Sequence, residues 1–168
     1  MELGESFVGS GPEAAHVNTV LGPRDGPVGQ AWATALATPR AGHVAFVAVL
    51  QPGLPVQPFT LFVNKATIAD DGHARLTWGP AQAGIASGVA DAVAQGLIVA
   101  ADVASLALIT AVWVDPGAAD AELVFSNNRA AVTAALAGGR SARPPLTEVL
   151  DQRDQAWNPF FRAPTAGA

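Results

Sequence analysis

A lysine stands inside an otherwise apolar, strand-forming run, Phe62-Val63-Asn64-Lys65-Ala66-Thr67-Ile68. An ammonium that water reaches poorly is costly, and a chain in which 14% of residues are charged has little use for one in packing. Two other segments carry polar groups in similar surroundings: His16 and Asn18 in Ala15-His16-Val17-Asn18, and Gln82 in Gly79-Pro80-Ala81-Gln82. Side chains two apart on a strand share a face, so His16 and Asn18 point one way, and Lys65 and Thr67 point one way. If the two strands are neighbours, all four groups converge at one end of a sheet. An imidazole that titrates near neutrality can move a proton there, and the amine and amides can hold a polar ligand. Each residue also has a plainer reading. His16 can be a strand histidine bonded to a backbone carbonyl, and Lys65 an edge lysine that discourages aggregation. Thr67 is an ordinary strand residue, and Gln82 can cap the first turn of a helix.

The elements that must position these groups follow from pattern. Residues 2–9 and 14–22 read as strands closed by Gly9-Ser10-Gly11-Pro12 and Gly22-Pro23. Asp25-Gly26-Pro27 has the grammar of a helix start. Val28, Trp32 and Leu36 form its apolar stripe, and Pro39 stops it. Residues 43–51 are almost continuously apolar and predict a central strand. After the turn Pro52-Gly53-Leu54-Pro55, residues 59–68 predict the strand carrying Lys65 and Thr67. Asp70-Asp71-Gly72 reads as a turn. Gly79-Pro80 opens a helix that runs to about Gln95, with Gly96 as its stop. A short helical piece near 100–105 precedes a strand at 106–114. A last long helix is expected from Asp115-Pro116-Gly117 to near Gly138-Gly139, followed by an irregular tail from Arg140. Interleaved strands and helices without a repeat or linker predict one domain over 1–168, a small α/β or α+β sandwich.

Composition removes several classes of function. The net charge of -5 and the absence of a Lys/Arg cluster argue against a nucleic-acid partner. Without cysteine there is no disulfide, thiolate metal site or cysteine nucleophile. No basic-then-apolar leader opens the sequence, and no apolar run is long enough for a membrane span, so a cytoplasmic location is expected. Neither a phosphate-binding glycine loop nor a G-x-S-x-G elbow occurs. His16, His43 and His73 are too dispersed for a metal-binding pattern, and no metal is expected.

Four blocks carry a resemblance. Gly4-Glu5-Ser6-Phe7-Val8-Gly9 resembles the opening strand of the formaldehyde-activating enzyme family. Ala15-His16-Val17-Asn18 with Gly22-Pro23-Arg24 looks like its histidine strand and following turn. Phe62-Val63-Asn64-Lys65-Ala66-Thr67-Ile68, and then Gly79-Pro80-Ala81-Gln82 with Gly84-Ile85-Ala86, look like its central signature. The blocks occur in order at matching spacing. The resemblance implies condensation of formaldehyde with tetrahydromethanopterin to the methylene-bridged pterin and water. That is a hydro-lyase reaction of one-carbon metabolism and formaldehyde detoxification. It implies His16 as proton donor and pterin contacts at Asn18, Val47, Lys65, Thr67 and Gln82. The protonated imidazole would turn the hydroxide of a carbinolamine into water, and the other groups would hold the pterin for attack. It further implies an α+β, two-layer α/β sandwich of the ribosomal-protein type. Its βαβ crossover would be left-handed, against the general right-handed expectation. The assembly implied is a homopentamer with the pterin site between neighbours.

One departure concerns charge. The family typically carries aspartate where this chain has Asn18, which keeps the shape but cannot raise the pKa of His16 or stabilise an iminium. Val47 replaces a larger apolar residue, and Ala83 stands where a polar ring is common. The alternative these changes leave is a non-catalytic paralogue that binds formaldehyde or a reduced pterin.

Overall fold

A computed structural model describes residues 1–159 and 161–164. The first strands, β1 (Glu2–Val8) and β2 (Ala15–Pro23), form an antiparallel pair. Helix α1 (Pro27–Ala37) begins with its proline in the first turn, where a missing N–H costs nothing. Three short strands follow: β3 (Ala45–Val47), β4 (Val49–Gln51) and β5 (Leu54–Pro55). Next come β6 (Phe59–Asn64) and α2 (Asp71–Leu76). A wide helical turn over Thr77–Ala81 then runs directly into α3 (Gln82–Ala94). The chain returns as β7 (Leu106–Trp113) and then as the long α4 (Ala121–Arg140). Past Arg140 it carries α5 (Leu146–Asp151) and the pair β8 (Trp157–Asn158) and β9 (Phe161–Arg162). The tail expected there also includes Phe160 and residues 165–168, which lie outside the described residues.

The main sheet has the order β1-β2-β7-β6-β3. All neighbours are antiparallel except β6 and β7, which are parallel and are joined by the α2–α3 crossover. The chain is therefore of mixed α and β class. Core positions alternate along each strand. Val17, Thr19 and Leu21 stand opposite Val112, Thr110 and Leu108, and these stand opposite Asn64, Phe62 and Thr60. The core joins this face to Ile85, Val89, Val124 and Val132 of α3 and α4. α4 lies so close to β1 that a Cβ at Gly4 would sit 1.9 Å from the carbonyl oxygen of Ala135. α1 packs on the opposite face near the end of β2, where Val28 reaches Gly22.

Several expected boundaries change. The run 43–51 is not one central strand. β3 is an edge strand, and β4 turns away to pair with β5. Continuous apolarity predicts burial on both faces and a central place, yet Val44 and Leu50 are exposed. The central strand is β7. The strand expected over 59–68 stops at Asn64, because the Asn64 side chain bonds the carbonyls of Gly42 and Ala66 and turns the chain out of the ladder. The helix expected from Gly79-Pro80 already starts at Asp71, with Asp70 as N-cap accepting from the His73 N–H at 2.8 Å. Pro80 lies inside the helical run. The wide turn accommodates the N–H that proline lacks and the clash it makes with the preceding turn. Gly96 ends α3 as expected, at φ 74°. Asp115-Pro116-Gly117 is a turn, not the start of α4; Asp120 caps that helix by accepting from the N–H groups of Glu122 and Leu123.

Candidate functional site

The register builds the site from the face of the sheet opposite α3 and α4. Phe7 of β1 pairs with His16 of β2, and His16 pairs with Trp113 of β7. Lys65, one residue beyond β6, donates its backbone N–H to the Val112 carbonyl at 2.7 Å, which continues the row beside Trp113. One step along the strands, Glu5 pairs with Asn18, and Asn18 with Ala111. Glu5, His16, Asn18 and Lys65, with the rings of Phe7 and Trp113, line one cavity of about 620 Å³. Trp157, Asn158 and Pro159 of the tail line it as well.

Lys65 is held there by its neighbours. The Asn64 amide fixes the turn on one side. On the other, the buried His73 ties the loop to the sheet. Its Nδ1 accepts from the Ala69 N–H at 3.1 Å, so Nε2 carries the proton and donates to the Val114 carbonyl at 3.0 Å. The loop between Lys65 and α2 is thus anchored to the end of the central strand.

Within the cavity, Lys65 Nζ donates to Asn18 Oδ1 at 2.8 Å. His16 Nε2 lies 2.9 Å from Glu5 Oε1. Burial, and to a lesser degree the Glu5 charge acting in the opposite sense, leaves the Lys65 amine with a pKa lowered to about 8. His16 is pulled below its ordinary 6.5 first by burial and then by the Lys65 charge, while Glu5 pulls it back up. The arrangement can hold an anionic or polar ligand on the amine and amide, and can move a proton on an imidazole steadied by a carboxylate.

Glu5 adds a residue that the sequence reading of the Asn18 departure did not name. The charge that Asn18 lacks is present on the neighbouring strand, bonded to His16 itself. The sequence contained the residue in the block Gly4-Glu5-Ser6, but its partner depends on how β1 and β2 register, which spacing alone does not give. Phe7, Trp113 and the tail residues were missed for the same reason. We expect Glu5→Gln to lower the pKa of His16 further, since it removes a raising influence and leaves the lowering ones. A shift of one unit would cost about tenfold in imidazolium above the new pKa. Titration of the His16 ring proton by NMR in both proteins measures it; identical curves would remove Glu5 from the electrostatics of the site.

The other residues singled out by sequence do not join this cavity. Thr67 is outside any strand, so it does not share a strand face with Lys65. Its Oγ1 is 3.2 Å from His43 Nε2, and His43 Nδ1 donates to the Asn64 carbonyl at 3.0 Å. Gln82 is buried and clamps one residue of β4: its Oε1 accepts from the Val49 N–H at 3.2 Å, and its Nε2 donates to the Val49 carbonyl at 2.9 Å. It is not a helix cap. Val47 lies on the edge strand opposite Leu61. Within one chain, the structure brings His16, Asn18 and Lys65 together and places Val47, Thr67 and Gln82 elsewhere. Among the described residues, no cluster of three or more histidines or carboxylates is close enough to hold a metal ion, and no helix is long and apolar enough to cross a membrane.

Residues 3–161 match the sequence model of the formaldehyde-activating enzyme (Fae). The chain is 40% identical over 158 residues to the 5,6,7,8-tetrahydromethanopterin hydro-lyase of Methanosarcina barkeri, covering 94% of this chain and 89% of that one. It is 38% identical over 156 residues to the bifunctional enzyme Fae/Hps of Methanococcoides burtonii, and 35% identical over 160 residues to that of Methanosphaera stadtmanae. These alignments cover 93% and 95% of this chain but 39% of each bifunctional protein.

Proposed function

The chain belongs to the formaldehyde-activating enzyme family, and from its site we infer that it is a hydro-lyase condensing formaldehyde with tetrahydromethanopterin, or a related reduced pterin, to the methylene-pterin and water. The observation that carries the chemistry is the cavity that holds His16 on Glu5 beside Lys65 and Asn18. Amine attack on formaldehyde gives a carbinolamine, and hydroxide is a poor leaving group. His16 as imidazolium supplies the proton that makes it water. Glu5, at 2.9 Å, favours that protonated form and the cationic iminium that follows. Asn18 and Lys65 hold the pterin in attack geometry. No metal takes part in this scheme. The direct test compares methylene-pterin formation from formaldehyde and tetrahydromethanopterin with a protein-free blank; a rate equal to the blank would end the enzyme reading.

The remaining pterin contacts, Val47, Thr67 and Gln82, fit this reading when the protein is a ring of identical subunits, a homopentamer, with each site completed by a neighbour. Support comes from their distance from the His16 cavity, and from the exposed Val44, Leu50 and Leu54 around the edge strand that carries Val47. With this assembly go a left-handed sense for the α2–α3 crossover, the ribosomal-protein-type two-layer arrangement of the family, and a cytoplasmic setting. Light scattering at micromolar concentration is expected to give a five-chain particle, and a stable single chain would contradict the shared site.

A further inference from the structure

Lys65 is the only lysine in the sequence; the other eight of its nine basic residues are arginines, and there is no cysteine. The sole side-chain amine of the chain is half-buried in the cavity with His16 and Glu5. It donates a hydrogen bond to a neutral amide, Asn18 Oδ1 at 2.8 Å, and it forms no ion pair among the described residues. Its amine is half-desolvated, and the Glu5 charge in the same cavity only partly offsets that burial. An amine desolvated in a pocket, with a proton-transferring group beside it, is the arrangement that makes lysine a nucleophile toward carbonyl carbon.

We propose that Lys65 takes up formaldehyde covalently and carries the one-carbon unit to the pterin as a methylene iminium. The proposal rests on the reading above that formaldehyde is the substrate of this cavity. The ammonium of Lys65 passes a proton to His16, and the free amine adds to the carbonyl carbon, forming a C–N bond and a carbinolamine. His16 returns the proton to the carbinolamine oxygen. The C–O bond breaks, water leaves, and Lys65 is left as the iminium, so one positive charge is conserved from ammonium to iminium. A secondary amine of the pterin adds to that methylene carbon and gives its proton to His16. The lysine nitrogen takes the proton back and departs with the electron pair of its C–N bond, leaving the iminium on the pterin. The second pterin nitrogen closes on it and releases the last proton, which restores the ammonium. No oxidant or reductant is consumed.

Three features fit this path. With a pKa lowered to about 8, on the order of a tenth of Lys65 is free amine at pH 7, against less than about a thousandth for an ordinary lysine. Glu5 stands at the cavity wall as counter-charge to the iminium. Consuming the ammonium charge also removes one of the influences that hold His16 below its ordinary pKa, so the acid strengthens its hold on the proton as the carbinolamine forms.

The test uses the intact wild-type protein. It is incubated with limiting formaldehyde and cyanoborohydride, without pterin, then digested and analysed by mass. The terminal amine of Met1 is the internal reference. We expect methylation at Lys65 to run roughly tenfold ahead of Met1, to fall back to the Met1 rate in His16→Gln, and to vanish when tetrahydromethanopterin is added before the reductant. In parallel, Lys65→Arg, which keeps the charge and the donors but cannot form the iminium, is expected to retain pterin binding by calorimetry and to lose condensation to the blank rate. If Lys65 stays unmodified while the wild type accelerates condensation, or if Lys65→Arg keeps the wild-type rate, the covalent path is overturned and the functional reading stands. If Lys65 is methylated but condensation is no faster than the blank, the functional reading falls and so does the transfer step proposed here.

Discussion

Replacing His16 by alanine should remove the acceleration of methylene-pterin formation, a loss of roughly 10²–10⁴-fold, while leaving the protein folded. The imidazole is the group at this site best suited to donating a proton to departing hydroxide near neutrality. Its side chain is 38% exposed and lies on the face of β2 away from the core, so the substitution opens no packed interior. Two interactions are lost: the contact with Glu5 at 2.9 Å, and a tilted packing of the His16 and Phe7 rings with centroids 6.2 Å apart. Both lie at a cavity wall and contribute little to stability. The outcome has a pH signature. Because burial and Lys65 hold His16 below its ordinary 6.5, the limb of the wild-type profile that needs imidazolium falls away above a pKa lower than that value. The variant should lack this limb. A variant that keeps the wild-type rate and the limb would place the proton donor elsewhere.

The second large effect concerns stability. Phe62→Ala is expected to cost about 3–5 kcal/mol, read as a shift of the denaturant midpoint. Phe62 is fully buried in β6, opposite Thr110 of the central strand. Its ring stacks on Phe46 of β3 at 5.1 Å between centroids. Removing it leaves a void where the edge strand, the parallel pair and the helical layer meet, and neither strand can collapse into that void without breaking the ladder. The loop carrying Lys65 begins three residues later, so the loss should also loosen the site. A midpoint within error of wild type would mean that the core repacks around the gap.

The sequence by itself determined which groups share a strand face and most of the elements under the candidate site. His16 and Asn18 share a face of β2 because alternation is a property of two adjacent peptide units. Pro27 at the start of α1 and Gly96 after α3 are equally local, set by one missing N–H and one positive φ. What only the tertiary structure decided are relations between distant segments. Whether the apolar run 43–51 is central or at the edge depends on what lies beyond it: β3 pairs with β6 alone, while β7, arriving across the α2–α3 crossover, takes the other side of β6 and pairs with β2 as well. Pro80 reads as a helix start because its fault is local, yet the packed helices around it hold a wide turn through it. The carboxylate beside His16 comes from Glu5 because β1 and β2 register with Glu5 opposite Asn18. Lys65 and Thr67 part company because the Asn64 amide bonds the carbonyl of Gly42, more than twenty residues away, and the strand ends before both of them. A hydrophobic period records only which way a side chain faces; the group it meets there is set by pairing energies summed over the whole sheet.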